Sequence, residues 1–133
     1  MGKVAKGNMS GELILFVEDE AEQLKYMKRF LEDDGYRVLG AKNGVDAVAL
    51  HRQYRSEIAL VVMDIRLPKL NGWDAFETMK KEDPEIKALF ATAYVTPEVQ
   101  TAVKKGELQG LFLKPYNIEA ILAKISAILR PPV

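Results

Sequence analysis

Cysteine is absent from this sequence of 133 residues, which excludes disulfide bonds, thiolate catalysis and thiolate metal sites. An excess of one charge is absent too, because 19 Lys and Arg residues balance 19 Asp and Glu residues. That balance argues against a nucleic-acid surface and against a polybasic membrane anchor. No apolar run approaches the roughly 20 residues that span a bilayer. We therefore expect a cytoplasmic protein without a nucleic-acid or membrane partner.

The composition is that of a globular protein, with 48% hydrophobic and 29% charged residues. The length fits one compact domain, which we predict to span residues 12–130. Residues 1–11 contain glycines and lysines without periodicity, so we expect a disordered N-terminal tail, of a kind that is also added for expression. Residues 131–133 would be a C-terminal tail or the start of a linker. The sequence leaves open whether this domain stands alone or was cut from a longer protein.

Five apolar runs alternate with segments of helical periodicity. The runs predict strands at Leu13–Val17, Tyr36–Leu39, Ile58–Met63, Ala88–Ala91 and Leu111–Leu113. Strands that alternate with helices form a parallel sheet with right-handed crossovers and helices on both faces. The second run contains Arg37 and therefore suits an edge position. We predict a three-layer α/β fold with a doubly wound, five-stranded parallel sheet in the flavodoxin-like order 2-1-3-4-5.

The third run is the centre of this prediction because both of its faces are apolar. Ile58, Leu60 and Val62 would face one layer of helices, and Ala59, Val61 and Met63 would face the other. The run ends on Asp64. A carboxylate at the carboxyl end of a central strand lies where open α/β sheets bind their ligands.

Thr96 before Pro97 and Asn117 are expected to cap the fourth and fifth helices. The helices should each bury one apolar stripe. In chain order the predicted stripes are Leu24, Met27, Phe30 and Leu31; Val45, Val48 and Ala49; Trp73, Phe76 and Met79; Val99, Ala102 and Val103; and Ile118, Ile121, Leu122, Ile125 and Ile128. His51 is the only histidine and lies among Leu50, Arg52 and Gln53. We expect it at the surface, with no role as a phosphodonor.

Polar side chains follow four of the five predicted strands: Glu18 and Asp19, Asp64, Thr92, and Lys114. In a parallel sheet these strand ends share one edge. Crowded carboxylates repel one another unless a divalent cation is bound, and oxygen ligands select Mg²⁺ or a similar ion. A hydroxyl and an ammonium beside that ion suit phosphoryl oxygens. An aspartate carboxylate can itself act as the nucleophile and form an acyl phosphate.

Each of these residues also has a simpler interpretation when it is taken alone. Asp64 could form a turn or cap a helix, and Glu18 and Asp19 could favour the positive end of a helix dipole. Thr92 could be an ordinary strand-end residue and Lys114 a solvated charge. The presence of all five at matching strand ends favours the chemical interpretation.

Together these residues resemble the receiver domain of two-component response regulators. The motifs that carry the resemblance are Glu18-Asp19, Met63-Asp64-Ile65 with Pro68 and Gly72, Thr92-Ala93, and Lys114-Pro115. The resemblance covers residues 12–129. Each motif is weak by itself, but their order and their positions at strand ends are specific.

The resemblance implies a phosphorelay role centred on Asp64. Asp64 would accept a phosphoryl group from a sensor histidine kinase or a histidine phosphotransfer protein. Asp19, Asp64 and the backbone carbonyl of Arg66 would bind Mg²⁺, and Glu18 would act mainly through a coordinated water. The domain would catalyse only its own phosphoryl transfer and dephosphorylation, and would not otherwise be an enzyme.

The resemblance also implies roles for the residues that follow the last two strands. Thr92 would move toward the phosphoryl group, and Lys114 would neutralise it. The peptide bond before Pro115 would be cis. The output partner is unknown. By analogy, partner binding or dimerisation would use the face made by the fourth helix, fifth strand and fifth helix.

The sequence departs from the family pattern at Leu111, three residues before Lys114. Receivers usually have tyrosine or phenylalanine there, and its rotamer follows the threonine; here the aromatic side chain is the neighbouring Phe112. We expect Thr92 movement to pass instead through the following backbone or through Tyr94. Arg66 and Tyr94, two residues beyond Asp64 and Thr92, should line the mouth of the site and restrict the water that hydrolyses the acyl phosphate.

Two other functions are compatible with an α/β fold that has these residues. The first is a protein-binding module of the same fold that works without phosphorylation, which only Leu111 favours. The second is a Mg²⁺-dependent phosphohydrolase with an aspartyl intermediate. Such enzymes usually need a second acid two residues after the nucleophile, where this sequence has Arg66.

Overall fold

A computed structural model describes residues 11–131. Over this range strands and helices alternate as β1 (Leu13–Val17), α1 (Ala21–Asp33), β2 (Arg37–Ala41), α2 (Gly44–Tyr54), β3 (Ile58–Met63), α3 (Gly72–Glu82), β4 (Ala88–Thr92), α4 (Pro97–Lys104), β5 (Gly110–Leu113) and α5 (Ile118–Leu129). Residues 1–10 of the predicted tail and residues 132 and 133 lie outside the described residues.

The strands form one parallel sheet in the order β2-β1-β3-β4-β5. This confirms the predicted fold class, strand order and edge position of the second strand. Because all the described strands are parallel, their carboxyl ends meet at one edge of the sheet. The residues that follow β1, β3, β4 and β5 are thereby brought to the same side of the molecule.

Two apolar clusters fill the space between the sheet and its helices. One cluster joins the sheet to α2, α3 and α4, with Val61, Met63 and Phe90 on the strands. The other joins it to α1 and α5 and includes Leu60 and Val62. The alternation predicted for β3 is therefore confirmed from Leu60 to Met63.

Ile58 is the exception, because it packs against the cluster that contains Val61 and not the one that contains Leu60. The cause lies in the pairing of β3 with β1. Leu13 pairs with Ile58 and Ile14 pairs with Leu60, so Ala59 is an extra residue in the ladder. A β-bulge of this kind reverses the side-chain alternation on its far side.

The predicted second strand is displaced along the chain. It was expected at residues 36–39, but it spans Arg37–Ala41, and its whole length pairs with β1. Gly40 and Ala41 offer little side chain for an apolar pattern. Backbone pairing with β1 extends the strand to Ala41, whose small side chain is buried in the cluster of α2, α3 and α4.

Two of the predicted helix stripes were wrong in part. On α1, Met27 and Leu31 are buried, but Phe30 is 37% exposed. On α2, Val48 is buried, whereas Val45 and Ala49 are exposed. Ala47, which is fully buried, faces the sheet in their place. Short helices with few large apolar residues leave this rotation poorly determined by periodicity.

His51 was expected at the surface, and this prediction was wrong, because the residue is only 1% exposed. It occupies the buried face of α2 one turn after Ala47. Its Nε2 lies 3.3 Å from Oδ2 of Asp83, which follows α3. Burial lowers the pKa of His51, and the hydrogen bond to Asp83 opposes this only in part. We therefore infer a neutral imidazole between α2 and α3.

Four helices begin with a side-chain cap. Asn43, Asn71, Thr96 and Asn117 each accept a hydrogen bond from a backbone N–H three residues on. Pro97 follows Thr96 at the first position of α4. A cap of this type stabilises a protein by about 1 kcal/mol. The caps confirm the predicted helix starts at residues 96 and 117.

Candidate functional site

Three carboxylates meet where β1 and β3 end. Glu18 and Asp19 follow β1, Asp64 follows β3, and one carboxylate oxygen from each lies within 4.8 Å of the others. Glu18 is only 2% exposed and Asp64 is buried, whereas Asp19 is exposed. A buried charge needs a partner. The cluster therefore requires a cation, from a side chain or from solution.

Lys114 supplies a positive charge to this cluster. Its Nζ donates hydrogen bonds to Oε1 of Glu18 at 2.5 Å and to Oδ2 of Asp64 at 2.9 Å. Its backbone N–H donates to the carbonyl of Thr92 at 2.8 Å, which ties the end of β5 to the end of β4. The Lys114–Pro115 peptide bond is cis, as the resemblance predicts.

Burial and charge act in opposite directions on these two partners. Burial raises the pKa of Glu18, and the hydrogen bond from Lys114 counteracts this in part. Burial alone would lower the pKa of Lys114, but the hydrogen bonds and charges of Glu18 and Asp64 outweigh it and raise that pKa. Lys114 is therefore a charged ammonium that bridges two acids.

Thr92 ends β4 and is completely buried. Its Oγ1 accepts a hydrogen bond from the backbone N–H of Tyr94 at 3.1 Å. On the neighbouring strand, Oδ1 of Asp64 accepts from the backbone N–H of Arg66 at 3.2 Å. The two loops then meet, because Cζ of Arg66 lies 3.9 Å from the centroid of the Tyr94 ring. Arg66 and Tyr94 therefore join the loops that follow Asp64 and Thr92.

The loop between β3 and α3 approaches other backbone closely at two glycines. A Cβ added at Gly72 would lie 1.9 Å from the carbonyl oxygen of Asp64, and one added at Gly44 would lie 1.9 Å from that of Leu70. The Gly72 N–H also donates to the carbonyl of Ile65 at 2.7 Å. Only glycine allows such contacts. The two glycines therefore determine where the loop after Asp64 can lie.

Leu111 lies in the ladder opposite Phe90, on the face of the sheet covered by α2, α3 and α4. It is half-buried. Phe112 points to the other face, where it packs with the cluster of α1 and α5. The ring of Phe112 therefore does not substitute for an aromatic side chain at position 111.

Tyr116 is a neighbour of the site that the sequence did not single out. Its hydroxyl accepts a hydrogen bond from Nε2 of Gln23 at 3.0 Å, linking the segment after β5 to α1. Burial raises the pKa of Tyr116. Its position two residues after Lys114 was the available signal, but only the fold shows that α1 is its partner.

A groove of about 640 Å³ opens beside the acidic cluster. Asp19 and Arg66 border it on the side of the site, and Trp73 and Glu98 border it on the side of α3 and α4. Trp73 is the only tryptophan in the sequence. Its fluorescence can therefore report on events in this groove.

The donor set at the cluster fits a hard divalent cation. Oxygens of three carboxylate groups lie within 4.8 Å of one another, and one of the three groups, Asp19, is open to solvent. Mg²⁺ binds through one or two carboxylates while it keeps several waters. A partly exposed all-oxygen cluster has the composition that such an ion requires.

Comparison with known proteins gives consistent matches. The family model for the response regulator receiver domain matches residues 14–126. The chain is 36% identical over 119 residues to protein PilH of Pseudomonas aeruginosa, covering 87% of this chain and 96% of PilH. It superposes on the non-phosphorylated HemR receiver domain of Leptospira biflexa with a TM-score of 0.82 and 30% identity, covering 91% and 96% of the two chains.

A more distant structure shares the fold. It is the CheX–CheY–BeF3–Mg²⁺ complex from Borrelia burgdorferi, with a TM-score of 0.79, 18% identity and 87% coverage of both chains. At that identity the likeness shows the fold alone. Every helix described between residues 11 and 131 is too short or too polar to cross a membrane.

Proposed function

The chain belongs to the response regulator receiver domain family and is a signalling module of two-component systems, and from this premise we propose that Asp64 is its phosphoacceptor. The donor would be a phosphohistidine of a sensor kinase or of a phosphotransfer protein. Phosphorylation would then change the affinity for an output partner. The matching family model is the response regulator receiver domain, so a module that works without phosphorylation is not favoured.

One observation carries the proposal, namely the environment of the Asp64 carboxylate. It ends the central strand, it meets Lys114 at 2.9 Å on one oxygen, and it accepts the Arg66 N–H on the other. Glu18 and Asp19 lie within metal-binding range. A nucleophile, a cation that can hold a phosphoryl oxygen and a metal-binding cluster therefore converge at one strand end.

The transfer step follows from this arrangement. An oxygen of Asp64 forms the new P–O bond while the P–N bond to the donor imidazole breaks. If the donor ring carries a proton on its other nitrogen, it leaves as neutral imidazole and no further proton is needed. The Lys114 ammonium neutralises the negative charge of the transferred group, because it already contacts this carboxylate. The Thr92 hydroxyl donates to a second phosphoryl oxygen.

Asp19, Asp64 and the backbone carbonyl of Arg66 would hold Mg²⁺, with Glu18 acting through water. When bound, the ion neutralises phosphoryl charge and aligns the group for in-line transfer. The CheX–CheY complex from Borrelia burgdorferi, in which a protein of this fold is present, contains Mg²⁺ together with BeF3. The same residues would serve self-catalysed dephosphorylation.

Intact-protein mass after incubation with a small-molecule phosphodonor tests the proposal. We expect a gain of one phosphoryl group that requires Mg²⁺ and disappears in Asp64→Ala. Asp33→Ala is the matched control, because Asp33 is an exposed aspartate at the far end of α1. Absence of the gain in the folded wild-type protein, or its persistence in Asp64→Ala, would refute the assignment.

The same experiment addresses the enzymatic alternative. A receiver consumes one equivalent of phosphodonor for each acyl phosphate that it forms. It then releases phosphate only as fast as that acyl phosphate is hydrolysed. Release of phosphate from unrelated small phosphate esters, at a rate above that hydrolysis, would instead indicate a phosphohydrolase. The position of Arg66, where such an enzyme needs an acid, leads us to expect no such release.

A further inference from the structure

Two loops that follow strands of the site meet in one contact. Arg66 follows β3 and Tyr94 follows β4, and the Arg66 guanidinium lies 3.9 Å from the centroid of the Tyr94 ring. Tyr94 is 50% exposed, and Arg66 is exposed as well. A cation over an aromatic face is attractive even at a surface. This contact, the Arg66–Tyr94 stack, therefore joins the loops and presents a ring to solvent.

Each member of the stack is also held by its backbone to a residue of the site. The Arg66 N–H donates to Oδ1 of Asp64 at 3.2 Å. The Tyr94 N–H donates to Oγ1 of Thr92 at 3.1 Å. The stack is thus connected at one end to the proposed phosphoacceptor and at the other to the hydroxyl that would bind the phosphoryl group.

Phosphorylation of Asp64 would weaken both connections. Conversion of a carboxylate to an acyl phosphate removes negative charge from its oxygens, which then accept the Arg66 N–H less strongly. Thr92 ends β4, the strand paired with the one that Asp64 follows, and its side chain would rotate to donate the hydroxyl to a phosphoryl oxygen. That rotation moves Oγ1 away from the Tyr94 N–H.

The side chain at position 111 is poorly suited to transmit the same event. Leu111 has no ring and no polar atom, and it packs within the apolar cluster that contains Phe90. Its partner in the ladder is Phe90, whereas the partner of Thr92 is Leu113. A rotation of the Thr92 hydroxyl therefore meets no hydrogen-bonding group at Leu111.

We propose that the Arg66–Tyr94 stack is the element that reports phosphorylation of Asp64 in this chain, in place of an aromatic residue at position 111. In the unphosphorylated protein the stack joins the loops that follow Asp64 and Thr92. In the phosphorylated protein the two loops shift against each other, which changes the geometry of the stack and the face of the Tyr94 ring that a partner meets. This inference rests on the proposed function, because it takes Asp64 as the acceptor.

Fluorine NMR of protein labelled with 3-fluorotyrosine tests the inference. The Tyr94 resonance is assigned by its loss in Tyr94→Phe, and spectra are compared before and after addition of beryllium fluoride and Mg²⁺. Tyr36 is the internal control, because it lies under the Arg130 guanidinium at 4.0 Å in a similar stack. Tyr36 precedes β2 at the opposite edge of the sheet, so its environment should not change.

We expect the Tyr94 resonance to shift on addition and the Tyr36 resonance to stay in place. Arg66→Gln, which keeps the backbone, should remove the induced shift, and Arg66→Lys should restore part of it. Leu111→Ala should retain the shift. The urea midpoint of each variant shows whether it remains folded.

The failure of this inference can be told apart from the failure of the proposed function by measuring intact mass in parallel. A wild-type protein that gains a phosphoryl group on Asp64 while Tyr94 stays unchanged would overturn the inference alone. Loss of the Tyr94 shift in Leu111→Ala would also overturn it, because position 111 would then carry the signal. A folded protein without any gain of mass would overturn both proposals.

Discussion

Replacement of Lys114 by methionine removes a positive charge while keeping an unbranched side chain of similar length. Lys114 bridges Glu18 at 2.5 Å and Asp64 at 2.9 Å. Without it, three carboxylates remain within 4.8 Å of one another and no side chain in the bridging position neutralises them. We therefore expect Lys114→Met to lower the free energy of unfolding in the absence of metal.

The size of the effect follows from the burial of the partners. Loss of one member of a fully buried ion pair costs about 3–5 kcal/mol. Here Glu18 is buried, but the Lys114 side chain is 22% exposed, and solvent relieves part of the loss. We expect a decrease of about 2 kcal/mol, between the values for buried and exposed pairs.

Mg²⁺ should reduce this difference. In the wild-type protein the Lys114 ammonium competes with the ion for the same carboxylates, whereas in Lys114→Met the cluster is free to bind it. A ligand at a hundred times its dissociation constant stabilises the native state by about 2.7 kcal/mol. The variant should bind the ion more tightly than the wild type and recover most of the lost stability.

Urea unfolding followed by Trp73 fluorescence, in EDTA and in saturating Mg²⁺, measures both effects. Lys80→Met is the control, because Lys80 and Glu107 form an exposed pair at 3.3 Å whose loss should cost less than about 1 kcal/mol. The reasoning fails if Lys114→Met matches the wild type in EDTA. It also fails if the difference between them does not change with Mg²⁺.

Burial lowers the pKa of His51 below its ordinary value of 6.5, so protonation favours the unfolded chain. The free energy of unfolding should therefore fall as pH drops through 6.5 towards the folded-state pKa, by at most about 1.4 kcal/mol per pH unit. Urea titrations at several pH values should show that this contribution to the slope is absent in His51→Leu. Gly72→Ala, whose Cβ would lie 1.9 Å from a carbonyl oxygen, should lower the free energy of unfolding by about 3 kcal/mol. Gly106→Ala, at φ +75° in open space, should lower it by about 1 kcal/mol in the same assay. Equal losses would contradict the steric argument. Arg66→Ala and Tyr94→Ala should each shorten the acyl-phosphate lifetime, measured as loss of the mass gain with time, because water then reaches the site; unchanged or longer lifetimes would count against shielding.

Local pattern was sufficient for much of the fold. The predicted bounds of β1 and β3 agree with the observed strands, because both are continuous apolar runs that end in a carboxylate. Thr96 and Asn117 cap α4 and α5 as expected. Parallel topology then brings residues 18, 64, 92 and 114 to one edge. These features follow from the sequence because each depends on neighbouring residues or on the direction of the strands.

Other features depended on residues far apart in the chain. His51 is buried because Asp83, 32 residues later, lies against it, and no periodicity within α2 contains that information. Ile58 changes face because one residue of β3 is left over in its pairing with β1. Both errors arise where packing between elements, and not local hydrophobicity, selects the position of a side chain.

The sequence by itself determined the class of fold and the edge where charged residues gather, since apolar period and the alternation of strands with helices are local properties. The strand order came from the known doubly wound arrangement, with Arg37 indicating the edge strand. Tertiary structure alone decided that Lys114 bridges Glu18 and Asp64, and that Arg66 covers the ring of Tyr94. Each of these contacts joins loops from different strands. Their distances depend on how the sheet twists and how closely Gly72 lets α3 approach Asp64, which are properties of the packed molecule.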